Sequence, residues 1–149
     1  MIQRKQTLFL LLAVVSLVVC ICQPIGTIEP KGMAMPLVWY NLGVYADKSF
    51  TAQPVPFVNL VVAGVLSFVA IFLYKRRKLQ ARLCSASVVL CLAWYVYYAF
   101  CALNEFQGGG TFHVAFAAAL PFVAIILLLM ARRGIMADEK LVRSMDRIR

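Results

Sequence analysis

The sequence predicts an all-α membrane protein: a four-transmembrane-helix bundle with both termini cytoplasmic, a small extracytoplasmic loop or hairpin between helices 1 and 2, and an amphipathic C-terminal helix. Three observations predict it. Of 149 residues, 63% are hydrophobic and only 14% charged, at a mean hydropathy of +0.85, whereas soluble domains carry about a quarter charged residues. The apolar residues gather in four blocks, 7–22, 57–74, 83–103 and 112–131, without one Asp, Glu, Lys or Arg. The basic residues cluster between and after these blocks.

A helix needs about 20 apolar residues to cross the hydrocarbon. The last three blocks suffice, and the first does so by borrowing Gln23 to Ile25 or by local thinning of the bilayer. The expected organisation is one domain, 1–149, with helices at 7–25, 55–74, 83–103 and 112–131, an extracytoplasmic loop at 26–54 and a cytoplasmic tail at 132–149. Unbroken apolar runs lack the alternation of membrane strands, which excludes a barrel. Arg4 and Lys5 before an apolar core also suit a cleaved signal peptide, but no A-x-A-like site follows and Val19 spoils a lipoprotein site before Cys20. The first block is therefore taken as helix 1.

Charge sets the orientation. Arg4 and Lys5, the loop residues Lys75, Arg76, Arg77, Lys78 and Arg82, and the tail residues Arg132, Arg133, Lys140, Arg143, Arg147 and Arg149 are 13 of the 15 basic residues. Lys and Arg in short loops stay cytoplasmic, so both termini are placed inside and only Lys31 and Lys48 outside. The chain's +9 charge thus reflects topology, and without a soluble domain to shape a groove no nucleic-acid partner is expected. The same cluster meets the anionic headgroups of the inner leaflet, at about 1 kcal/mol per cation.

In the long loop, Leu37 to Tyr40 and Gly43 to Tyr45 are strand-prone and Ala46 to Ser49 reads as a turn. A surface hairpin and an irregular loop anchored by Trp39, Tyr40 and Tyr45 both remain open. The small-residue pairs Ala63 with Ser67, Ser87 with Cys91 and Ala115 with Ala119 allow close helix approach, and Pro121 is expected to kink helix 4 by freeing the Ala117 carbonyl. In the tail, Leu141, Met145 and Ile148 share one helical face and Lys140, Arg143 and Arg147 another, with Glu139 and Arg143 paired at i,i+4. Such a helix lies along the inner leaflet or docks on a partner.

Residues that carry chemistry are few. No carboxylate falls within an apolar block, which speaks against proton-coupled export. His113, one step inside helix 4, reads as interfacial, and Asn59 as an interhelical hydrogen-bonding group. Cys20, Cys22 and Cys101 fall at outer helix ends, where an oxidising compartment permits a disulfide to Cys101, but Cys20-Ile21-Cys22 lacks C-x-x-C spacing. Cys84 and Cys91 are expected to stay thiols, and no metal-site spacing is present, so no cofactor is expected. Gly108 to Gly110 lacks the Gly-Lys-Ser/Thr of a phosphate loop. The aromatic run from Trp94 to Phe100 reads as an aromatic belt with bundle packing.

MIQRKQTLFLLLA at 1–13, FLYKRRKLQARLC at 72–84 and ARRGIMADEKLVRSMDRIR at 131–149 together resemble the uncharacterised four-transmembrane inner-membrane proteins of Bacteroidetes, a family described as a domain of unknown function. The resemblance spans the whole chain. It implies topology and a bacterial inner-membrane location and supplies no catalytic residue. It does direct attention to the cytoplasmic face, through Arg4, Arg76, Lys78, Leu79, Gln80, Arg82, Asp138, Glu139, Leu141, Val142, Arg143, Ser144, Asp146 and Arg147. The expected function is that of a non-enzymatic accessory or scaffold subunit that binds anionic lipid and a partner in a membrane complex. The binding set is Arg4, Lys5, Lys75, Arg76, Arg77, Lys78, Arg82, Lys140, Arg143 and Arg147, with Leu141, Met145 and Ile148 as the apolar face. The alternative is a lipid or small-molecule transporter, or a thiol-redox enzyme, working near Cys20, Cys22, Asn59, Cys101 and His113.

Overall fold

A computed structural model describes residues 2–30, 35–46, 49–74, 76–104 and 110–146. Four helices, α1 (Ile2–Cys22), α2 (Pro54–Phe72), α3 (Arg77–Asn104) and α4 (Leu120–Asp146), accompany five strands. These are β1 (Pro24–Pro30), β2 (Leu37–Tyr40), β3 (Gly43–Ala46), β4 (Ser49–Ala52) and β5 (Gly110–Val114). They form one antiparallel sheet in the order β4-β3-β2-β1-β5. The all-α expectation is thereby corrected: the segment between helices 1 and 2 is neither an isolated hairpin nor an irregular loop.

The physical reason lies in β5. Thr111, Phe112, His113 and Val114 adjoin the apolar run of α4, so hydropathy merges them with it, but they are β-branched and aromatic and pair with β1 from Gly26↔Val114 to Pro30↔Gly110. A 3₁₀ turn, Phe116–Ala119, then leads into α4. Ala115 consequently lies outside the helix and makes no small-residue pair within it. Pro121 is the second residue of α4, where a missing N–H costs nothing, so it starts the helix instead of kinking it. The Ala117 carbonyl is not freed, because the Leu120 N–H donates to it.

Two further boundaries move. The basic segment expected as a loop forms the first turns of α3, because Arg, Lys, Leu, Gln and Ala are strong helix formers. The connection from α2 shrinks to 73–76, closed by a hydrogen bond from Arg76 N to Leu73 O at 2.9 Å. The tail continues α4 without a break to Asp146 and is not a separate helix.

Each helix packs against two neighbours, α1 and α3 each contacting α2 and α4. Leu10, Ala13, Leu17 and Cys20 of α1 recur every three or four residues and are fully buried. Between α2 and α3 the small residues Ala63, Ser67, Ser87 and Cys91 are all buried, and Ser87 Oγ donates across the interface to Ala63 O at 3.3 Å. The opposite faces remain apolar: Phe72 is 66% and Val96 71% exposed. Pro54–Phe72, Arg77–Leu103 and Phe116–Met145 are long and apolar enough to cross a membrane, and Gln6–Cys22 is a shorter apolar helix.

The sheet sits on the bundle end where α1 and α3 finish and α2 and α4 begin. Its anchor is Asn41, fully buried in the two-residue turn between β2 and β3. Asn41 Nδ2 donates to Cys20 O at 2.7 Å, and Trp94 Nε1 donates to Asn41 Oδ1 at 2.9 Å. Trp39 stacks on Tyr98 with ring centroids 5.0 Å apart, and Tyr98 stacks in turn on Trp94 at 5.1 Å. A register shift between Pro24 and Gly26 leaves the Ile25 carbonyl to accept from Tyr98 OH at 2.9 Å and from Ala115 N at 3.2 Å. Replacing Asn41→Leu strands both the Trp94 indole N–H and the Cys20 carbonyl in a dry site, at about 2–4 kcal/mol. The expected outcome is a clearly lower melting temperature in detergent by scanning fluorimetry, with Trp fluorescence shifted to the red as the sheet lifts.

Candidate functional site

At the far end of the bundle the polar residues of α1, α3 and α4 converge. Gln6 Nε2 donates to Asp138 Oδ2 at 2.6 Å, both residues being buried, and Arg77 donates through a guanidinium nitrogen to the Asp138 carbonyl at 3.1 Å. Gly134, one turn before Asp138, leaves room for the Gln6 side chain, since a Cβ there would stand 3.0 Å from Gln6 Cγ. Together these contacts hold the second half of α4 against the starts of α1 and α3, beyond the point where its apolar run ends.

Asp138 faces inward, and Glu139 turns into a cleft between α3 and α4. Its carboxylate lies 3.3 Å from Arg143 and 3.8 Å from Lys78; the Glu139 side chain is 15% exposed and both cations are far more open. Exposed pairs of this kind contribute at most about 1 kcal/mol each. The larger part of the cleft, about 880 Å³, is lined by Arg76, Arg77, Lys78, Arg82 and Arg143 over Leu79 and Val142. A smaller part, about 360 Å³, adds Arg132 and Lys140. Among the described residues, Glu139 is the only carboxylate lining either part.

The structure therefore brings Arg76, Arg77, Lys78, Arg82, Lys140 and Arg143 of the expected binding set around one cleft. Arg4 and Lys5 lie near the start of α1. Lys75, Arg147 and Ile148 lie outside the described residues. Leu141 and Met145 are exposed on α4 and do not line the cleft. Reasoning from sequence missed Arg132 as a cleft residue and the Gln6–Asp138 contact. The first carried a signal, because Arg132, Met136, Glu139 and Arg143 recur every three or four residues on one face of α4.

The alternative set near the sheet does not converge in the same way. Cys20 is buried against Asn41, Cys22 is exposed and Cys101 is buried. His113 lies on β5 and not in a helix, 3.7 Å from Glu29 on the neighbouring strand. Asn59 Oδ1 is buried without a hydrogen-bond partner among the described residues. The aromatic run of α3 supplies Trp94 and Tyr98 to the stack with Trp39, and Tyr95 OH donates to Ala118 O at 2.7 Å. No group of three or more His, Cys, Asp or Glu among the described residues is placed to hold a metal ion.

The chain belongs to the family described as Domain of unknown function (DUF4293), which matches residues 2–148. No curated protein matches it.

The Gln6–Asp138 contact makes an asymmetric prediction. Gln6→Leu leaves a buried carboxylate without its donor and is expected to destabilise the fold by about 2–3 kcal/mol. Asp138→Asn keeps an acceptor oxygen and is expected to cost under about 1 kcal/mol. Thermal unfolding of the two variants side by side in one detergent measures the difference.

Proposed function

We propose that this member of the DUF4293 family is a multi-pass protein of the bacterial cytoplasmic membrane, with both termini inside, that serves as a non-enzymatic accessory or scaffold subunit. Its basic cleft binds anionic headgroups of the inner leaflet, and the end of α4 carries a protein partner. The orientation is supported by the charge asymmetry, since the cationic cleft lies at the bundle end away from the sheet. The observation that carries the scaffold reading is α4 itself. From Arg132 to Asp146 it runs on as helix past the apolar run, about 22 Å at 1.5 Å per residue, with Leu141 56% and Met145 71% exposed beside the cleft. A projecting helix held in place by buried contacts at its root, with bare apolar side chains near its tip, is the form in which amphipathic helices meet a groove on a partner.

Two outcomes follow. Cys22, the exposed thiol at the sheet end, is expected to react with a membrane-impermeant maleimide in intact spheroplasts, and a cysteine placed at Arg133 only after permeabilisation; the reverse pattern inverts the topology. In nanodiscs drawn from native membranes, wild-type chain is expected to copurify with a stoichiometric protein that the double variant Leu141→Asp, Met145→Asp loses while still inserting and melting normally. Recovery of the same protein with the variant, or of none with wild type, would remove the scaffold reading.

A further inference from the structure

The two parts of the cleft are adjacent lobes that share one wall. Lys78, Arg82, Glu139 and Arg143 line both, Arg76 and Arg77 only the larger, and Arg132 and Lys140 only the smaller. Among the described residues, each lobe therefore offers five cations against the same carboxylate, that of Glu139. A lone phosphate in one lobe leaves the unshared cations of the other uncompensated. A phosphate centred on the shared wall competes with the Glu139 carboxylate, which already engages two of the three shared cations, Lys78 and Arg143. What fits is an anion on either side of Glu139 joined by a neutral linker that carries a hydroxyl, because a carboxylate accepts a hydrogen bond from a hydroxyl and repels a phosphate.

We propose that the cleft binds one phospholipid whose headgroup holds two phosphates bridged by glycerol, a diphosphatidylglycerol. One phosphate lies in each lobe, and the bridging hydroxyl donates to Glu139. This rests on the reading above that the cleft faces anionic headgroups, and it adds stoichiometry and headgroup class to it. A lipid, and not a soluble diphosphate, suits the site for two reasons. Arg132 directly follows the charge-free run 112–131, which puts the smaller lobe at the depth where headgroups begin. The cations are interleaved with apolar lining, Leu79 and Val142 in one lobe and Ala81 and Met136 in the other, against which glycerol and the first methylenes of the acyl chains pack.

The test uses the full chain in nanodiscs containing either diphosphatidylglycerol or phosphatidylglycerol at twice the mole fraction, so that phosphate and charge are equal, with lipid retention read by native mass spectrometry. One diphosphatidylglycerol retained per chain, with a preference of about tenfold or more per lipid, is the expected result. Arg76→Ala and Arg132→Ala, each confined to one lobe, are expected to bring the preference close to one. Arg133→Ala, which removes the same charge but lines neither lobe, is expected to leave it intact. Equal retention of the two lipids by wild type overturns the two-phosphate site while sparing the broader anionic-face reading. Retention of neither lipid overturns both, and a loss of preference in Arg133→Ala as large as in the other two overturns the site in favour of net charge alone.

Discussion

The carboxamide of Asn41 joins the sheet to two helices of the bundle. An α-helix ends with carbonyls that lack intrahelical donors, and at the end of α1 the Cys20 carbonyl receives Asn41 Nδ2 from the turn between β2 and β3. The other end of the same side chain receives the Trp94 indole from α3. One buried residue thus fixes a hairpin over two helices at once. The stack of Trp39, Tyr98 and Trp94 follows from that placement, since it requires the hairpin to lie within about 5 Å of α3. Tyr98, held in the stack, in turn reaches the Ile25 carbonyl that the β1 irregularity leaves open, and so sets the strand that pairs with β5. Each step constrains the next, and the whole sheet hangs from it.

That dependence explains which parts of the fold were legible. The apolar runs of α2 and α3 are long and pure enough to read as helices able to cross a membrane, and the strand character of Leu37 to Tyr40 and Gly43 to Tyr45 shows in local residue preference. β5 does not show, because a strand is defined by its partner and Gly26 lies 88 positions before Val114. Phe112 and Val114 are as apolar as the helix that follows, so a hydropathy window has no means of dividing them from it. Pro121 implies a kink only for a helix that begins at 112; with α4 starting at Leu120 the same proline is a favourable first-turn residue. At the site, the cationic residues were visible as a cluster, but their convergence on Glu139 depends on the unbroken continuation of α4. That continuation is secured by Gln6 and Asp138, 132 positions apart, a contact no local pattern records.

The two ends of the bundle satisfy their polar groups by different means. At the sheet end, backbone groups pair within the sheet and the side chains of Asn41, Tyr95 and Tyr98 donate to the carbonyls of Cys20, Ala118 and Ile25. At the other end the hydrogen bonds of Gln6 and Arg77 secure α4, but among the described residues the charges are not balanced: Glu139 is the one carboxylate lining the cleft against its Lys and Arg residues. Salt screens exposed charges over about 8–10 Å, which reduces this repulsion without removing it where the cations face one another across a concave wall.

The imbalance extends to the start of α3, whose first turn holds Arg77 and Lys78 and no acidic residue. A helix N-terminus carries a partial positive charge, so a cation placed there costs about 0.3–1 kcal/mol. An anionic lipid surface returns about 1 kcal/mol per cation held near it. The two quantities are of the same size and opposite sign, and the comparison decides how the cleft behaves. Away from a membrane, Arg77 and Lys78 oppose the helix they begin. An anion held beside Arg77 and Lys78 would offset that cost. A sequence that places strong helix formers with the wrong charge at a helix start is therefore in local conflict with itself, a conflict that the anion of the proposed site would relieve. That conditional stability ties the basic cluster to its surroundings, and it is a property of where the charges stand on α3 and α4, not of how many the chain carries.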